Sequence, residues 1–268
     1  MAHFVCITCG TQFSESDAPP RACPICEDER QFVPQSGQEW TDMASIGQTH
    51  SVIWTKQAEG VHGLQIKPDF GIGQRAFLIE GPDGNILWDC LSLIDEASKT
   101  RIAAMGSLSA IAISHPHFYT SMVEWSADCG GAPIHIHADD SEWVRRPDAA
   151  LHPWRGATLS IGAATMIRCG GHFDGSCVLH CPWLEGGRGA LFVGDTMQMT
   201  MDRKFVSFMR SYPNIVPLDA KAVTRILEAV RPYRFEAIYG AFPGRTVESD
   251  GNQVVERSAE RYLKAIAN

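Results

Sequence analysis

Two sets of residues in this chain have the types and spacing that bind a metal ion. The first is Cys6-Ile7-Thr8-Cys9-Gly10 together with Cys23-Pro24-Ile25-Cys26. A CxxC turn directs two thiolates at one point, and two such turns complete a tetrahedron around one ion. Gly10 after the first pair and Pro24 inside the second suit the tight turns this requires. Disulfides or a thiol redox pair are the competing reading, but two matched CxxC units favour a metal. Zinc and iron share a four-sulfur ligand set, so a structural site and an electron-transfer site both stay open, with zinc the default.

The second set begins at Ile111-Ala112-Ile113-Ser114-His115-Pro116-His117, an apolar strand ending in His-x-His. Residues two apart in extended chain point the same way, so both imidazoles are expected to reach one ion. His172 stands in Gly170-Gly171-His172-Phe173-Asp174-Gly175-Ser176, before the apolar run from Cys177 to His180. Asp195 ends another apolar run, Leu191-Phe192-Val193-Gly194-Asp195-Thr196. Neutral imidazoles with one carboxylate suit zinc, iron or a similar ion. A lone His-x-His is more often incidental, and a Gly-Asp after a strand is commonly just a turn. His115, His117, His172 and Asp195 in this order, each where a strand meets a loop, are much more specific.

The elements that must position these groups follow from hydrophobic periodicity and turn signals. Ala76 to Ile79 and Asn85 to Asp89 flank Gly81-Pro82-Asp83-Gly84, a hairpin signature. Further strands are expected at Ala110 to Ser114, Pro133 to His137, Thr165 to Arg168, Cys177 to His180, Gly189 to Val193 and Ala237 to Tyr239. Val223, Ile226, Leu227 and Val230, and then Val255, Ala259, Tyr262, Leu263 and Ile266, recur at helical spacing. The pattern predicts an α+β chain of sheets and helices in layers. Residues 1–37 read as a small metal-dependent knuckle, since so short a segment buries little apolar surface by itself. Residues 38–268 read as the large domain, reached through the linker Gln35-Ser36-Gly37-Gln38.

The 268 residues are 44% hydrophobic and 20% charged, which is ordinary globular composition. A net charge of −8 argues against a broad nucleic-acid surface. No window is apolar for long enough to suggest a membrane span, and the start MAHFVCITCG does not read as a signal peptide. Outside the two CxxC pairs, Cys90, Cys129, Cys169, Cys177 and Cys181 read as small buried hydrophobes. An odd cysteine count of nine fits a reducing cytoplasm. The expected partner is a small-molecule substrate, with no nucleic acid and no membrane, and homo-oligomerisation is left open.

The order of His115, His117, His172 and Asp195, with the Arg75–Ile79 and Ile86–Asp89 hairpin, resembles the metallo-β-lactamase superfamily over roughly residues 50–245. The N-terminal segment resembles a rubredoxin-type zinc ribbon. The resemblance implies an αββα sandwich with its metal site along one edge, preceded by the four-cysteine knuckle. The family pattern continues past His-x-His with an aspartate and a histidine, where Tyr119 and Thr120 stand here. It ends on a histidine about where Ala241 stands. One metal site is therefore implied whole, and the second keeps only the bridging Asp195, so one ion is expected in the large domain.

One zinc lowers the pKa of its bound water to about 7, so hydroxide attack on a small ester, thioester or lactone stays feasible. Asp195 and Tyr119 are the candidate catalytic residues. The Tyr119 hydroxyl either donates to an oxyanion or simply packs over the lost metal pocket. Two alternatives remain: a mononuclear iron redox enzyme like the persulfide dioxygenases, and a non-catalytic metal-stabilised binding module. The last would show as a pocket closed by Tyr119, Thr120 and Phe242. His135 and His137 read as structural, and Arg210 and Tyr212 as residues of a pocket-lining loop, where a substrate-anion contact is conceivable.

Overall fold

The computed structural model describes residues 1–267. Val61–Lys67, Arg75–Ile79 and Asn85–Trp88 form successive antiparallel pairs, because their apolar runs are broken by the proline- and glycine-containing stretch 68–74 and by the tight turn at Pro82 to Gly84. The next strand, Leu108–Ala112, returns parallel to Asn85–Trp88 after the helix Glu96–Ala104, and Ile134–His137 and Leu151–Trp154 follow it in parallel. With Ser51–Ala58 on the far edge, this sheet has seven strands in chain order. A second, six-stranded sheet runs Thr158–Ile161, Ala164–Arg168, Cys177–Cys181, Ala190–Phe192, Ala237–Tyr239 and Thr246–Val247.

The two sheets face each other across one apolar layer. Phe77, Trp88 and Ala112 from the first meet Met166, Leu179, Phe192 and Tyr239 from the second. The Phe77 and Phe192 rings meet edge to face at 5.1 Å, and Phe192 stacks on Tyr239 at 4.8 Å. Helices close both outer faces. Ile102, Met122 and Trp125, on Glu96–Ala104 and Met122–Asp128, pack on the first sheet, and Val223, Ile226, Val255 and Ala259, on Ala220–Val230 and Gly251–Ile266, pack on the second. Asp95 and Asp219 start two of these helices by accepting from the amides of Ser98 and Ala222 at 2.8 and 2.7 Å. The architecture is the expected αββα sandwich.

The expected strands are present within a few residues of their anticipated ends. The hairpin Ser51–Ala58 with Val61–Lys67 and the helix Met122–Asp128 are additions. The first is a half-exposed edge whose alternation is interrupted by polar residues, and the second is buried on most sides, so neither shows a clean period. At the N-terminus the knuckle does not close on itself. Val5–Cys6 pairs antiparallel with Trp40–Thr41, beyond the stretch expected as a linker, and Gln38 Nε2 donates to Cys6 Sγ at 3.0 Å.

Candidate metal centre

Cys6, Cys9, Cys23 and Cys26 form one buried cluster. Cys6 Sγ lies 3.6 Å from Cys26 Sγ, and Cys9 Sγ lies 3.7 Å from Cys23 Sγ. A tetrahedral ion at about 2.3 Å from each sulfur sets sulfur–sulfur separations near 3.8 Å, so the donors already stand where one ion needs them. Hydrogen bonding with Cys23 holds Cys6 below the ordinary thiol range and pushes Cys9 well above it. Four buried sulfurs side by side ionise together only when a cation compensates them. The other five cysteines are buried singly within the large domain.

The second cluster is built where strands end at one edge of the sandwich. Leu108–Ala112 stops short of Ser114, whose amide donates to Asp89 Oδ1 at 2.8 Å. His115 is extended, but Pro116 then starts a single 3₁₀ turn through Phe118, so His115 and His117 converge through a turn and not along one extended strand. Their ring centroids are 5.1 Å apart. His172 is presented by a loop opened by Gly170 and Gly171, both at positive φ. A side chain on Gly171 would come within 2.9 Å of Leu218 and 3.1 Å of Ile226. Gly194 (φ +51°) brings the Asp195 turn so close to the first strand end that a Cβ there would lie 2.4 Å from Ser114 Oγ. This close approach sets Asp195 beside His115.

Asp195 Oδ2 is 3.4 Å from His115 Nε2, 4.0 Å from His117 Nδ1 and 3.9 Å from His172 Nε2, while His172 Nε2 and His117 Nδ1 are 3.2 Å apart. Nitrogen and oxygen donors at about 2.0–2.2 Å from one ion stand about 3.3–3.6 Å from one another. The tautomers agree with this use. His172 Nδ1–H donates to the Met209 carbonyl at 3.2 Å, which leaves its Nε2 lone pair facing inward, and the hydrogen bond between His115 Nδ1 and Ser114 Oγ at 2.8 Å turns the His115 Nε2 inward as well. His115 Nε2 is buried without a hydrogen-bond partner among the described residues, as expected of a group whose partner is an ion. Burial pushes His117 down to about 4 and His172 well below the ordinary imidazole range, so both are neutral donors at pH 7. Burial alone would raise the Asp195 carboxyl, but the adjoining imidazoles of His115 and His117 hold it well below the usual carboxylate range. The donor set fits one zinc-like ion.

A pocket of about 220 Å³ opens over His117, His172 and Asp195. Phe242 and Tyr212 line it, as do Gln31 and Phe32 from the N-terminal segment, which sequence reading had not connected with the site. Tyr212 is thus a pocket residue, whereas Arg210 is paired with Glu29 Oε1 at 2.5 Å. Tyr119 lies buried, its hydroxyl donating to the Asp140 carbonyl at 3.2 Å. Burial pushes that phenol well above its usual range. Tyr119 and Ala241 belong to the apolar layer outside the first sheet, and Thr120 is buried with its carbonyl accepting from the Gln12 amide at 3.1 Å. Among the described residues, the four cysteines and the His/His/His/Asp set are the groups placed to hold an ion.

No family model matches the chain. Among solved structures, it resembles the metallo-β-lactamase FIM-1 of Pseudomonas aeruginosa in its mono-zinc form (TM-score 0.58, 16% identity, 80% of this chain and 96% of that one). It also resembles the metallo-β-lactamase DIM-1 (0.59, 14%, 80% and 98%). A B3 metallo-β-lactamase with an active-site glutamic acid covers 94% of this chain and all of its own at TM-score 0.51 and 16% identity. No helix among the described residues is long and apolar enough to cross a membrane. The uncharacterized protein YmaE of Bacillus subtilis (strain 168) is 43% identical over 272 residues, spanning 99% of this chain and 97% of YmaE. With a four-cysteine cluster set before a metallo-β-lactamase fold, the chain belongs to one family with YmaE.

Proposed function

We propose that the chain is a hydrolase of a small ester, thioester or lactone, working with one metal ion held by His115, His117, His172 and Asp195. The observation that carries this reading is the convergence of four buried donor atoms beneath a pocket that leaves them an open side. A divalent ion there supplies a coordinated water with a pKa near 7. The chain's own residues do the rest. Ser114 and the Met209 carbonyl fix the His115 and His172 rings, so the donors meet an ion without reorganising. Asp195 stays ionised, and its unpartnered Oδ1 is the carboxylate oxygen free to orient a water or take its proton. Tyr119, with its hydroxyl committed to Asp140, acts as a packing and positioning residue and does not touch substrate.

The test is turnover across a panel of small esters, thioesters and lactones by zinc-loaded protein carrying two equivalents of metal. The expected result is hydrolysis that His115→Ala abolishes while one equivalent stays on the cysteines. No hydrolysis across the panel by fully loaded protein, or full activity in His115→Ala, would overturn the reading. Oxygen consumption by an iron-loaded form, with no hydrolysis, would replace it with the redox alternative.

A further inference from the structure

Thr8 sits between Cys6 and Cys9 and lines the pocket over the His/Asp cluster, as do Gln31 and Phe32, which follow Cys26. Ile72 lines the same pocket and packs against the cysteine cluster. The segment is pinned on both sides. The Arg30 guanidinium lies 3.7 Å over the Phe173 ring, donates to the His172 carbonyl at 3.3 Å and is held by Asp28 at 2.5 Å. Asn214 Nδ2 donates to the carbonyls of Glu29 and Gln31 at 2.9 and 2.8 Å. Phe32 remains 49% exposed at the rim, a large aromatic side chain about half open to solvent.

Facing this wall are Tyr212, Pro213 and Phe242. Among the described residues no lysine or arginine lines the pocket, and Arg210 nearby is already paired with Glu29. A carboxylate or phosphate on a substrate arm directed away from the ion would find no counter-charge among the lining side chains, and burying an unpaired charge is costly. A volume of about 220 Å³ also falls below that of drug-sized sites.

We infer that the four-cysteine module is the selectivity wall of the His/Asp centre, admitting a small, uncharged, apolar acyl or ring portion of the substrate, with Phe32 setting its size. This rests on the hydrolase reading above, yet it can be tested without turnover. Zinc-loaded full-length protein is titrated calorimetrically with thiols that share a metal-seeking group and differ in the arm: benzyl mercaptan, 2-mercaptoethanesulfonate and 2-naphthalenemethanethiol. His115→Ala, which abolishes the heat of binding, identifies the centre being read. Benzyl mercaptan is expected to bind about tenfold or more tighter than the sulfonate. Phe32→Ala is expected to weaken the benzyl arm about three- to tenfold and to favour the naphthyl arm relative to it. Phe32→Leu, which keeps an apolar side chain, should fall between the two and serves if the alanine variant does not fold. Equal or tighter sulfonate binding, or arm preferences unchanged by either Phe32 variant, overturns the inference. Arm selectivity as expected in a protein that hydrolyses nothing removes the hydrolase reading and leaves the wall standing.

Discussion

Asp140 is buried beside the loop that carries His172, with one carboxyl oxygen accepting from the Gly175 amide at 2.8 Å. Burial raises its carboxyl from 3.8 to about 7. A carboxyl that keeps its proton longer in the folded chain than in the unfolded one adds stability at low pH. That contribution is lost as pH rises from about 4 through about 7. Asp140→Asn keeps the acceptor and removes the titration. Urea unfolding should therefore favour the variant over the parent by roughly 1–3 kcal/mol more at pH 8 than at pH 5. An unchanged difference between the two pH values would refute the assignment. Asp140 was not legible in the sequence, because the second aspartate of Ala138-Asp139-Asp140-Ser141 carries no sign of its burial. His115, His117, His172 and Asp195 were legible, because each follows an apolar strand and ligand chemistry requires those residue types. The geometry joining the first two was misread only in its means, a turn at Pro116 replacing an extended pair.

At the scale of elements, the long apolar strands and the two amphipathic helices could be read because each buries one repeating face. The docking of the knuckle could not, since it rests on single polar contacts between residues far apart in the chain. Arg30 with His172, Ser211 with Arg30, and Gln12 with Thr120 leave no local pattern. One of them falls at Thr120. Thr120 accepts from Gln12, and Gly10 packs so closely that a Cβ there would approach the Thr120 side chain at 3.7 Å and Ser92 Oγ at 2.2 Å. The knuckle thus packs directly against Thr120 and Ser92. Arg30→Met keeps apolar contact with Phe173 but loses the donors to His172 and Asp28, and should loosen docking by about 1–3 kcal/mol. Hydrogen exchange should rise in residues 28–32 and 210–214, and a competing chelator should strip the His/Asp centre sooner while the cysteine site is unaffected. Exchange and stripping rates equal to those of the parent would show that Arg30 braces nothing.

Over the whole molecule, two buried layers of different origin meet at one pocket. The sandwich has its own apolar interior and outer helices, while the first residues depend on a cluster of four sulfurs packed with Ile25. Cys9→Ser should cost one equivalent of metal and open the N-terminal segment to proteolysis, with the far-ultraviolet circular dichroism of the sandwich retained. Global unfolding, or protection of residues 27–36 as in the parent, would contradict this division. The wall formed by Thr8, Gln31 and Phe32 then obeys mass action. An ion that binds only the closed knuckle stabilises it by RT ln(1 + [ion]/Kd), about 2.7 kcal/mol at a hundredfold excess over Kd and about 0.4 kcal/mol at Kd itself. As free ion falls through that range, the pocket loses its shape before the His/Asp donors lose their places. On the proposed reading, substrate discrimination is a quantity titrated by an ion that never meets the substrate.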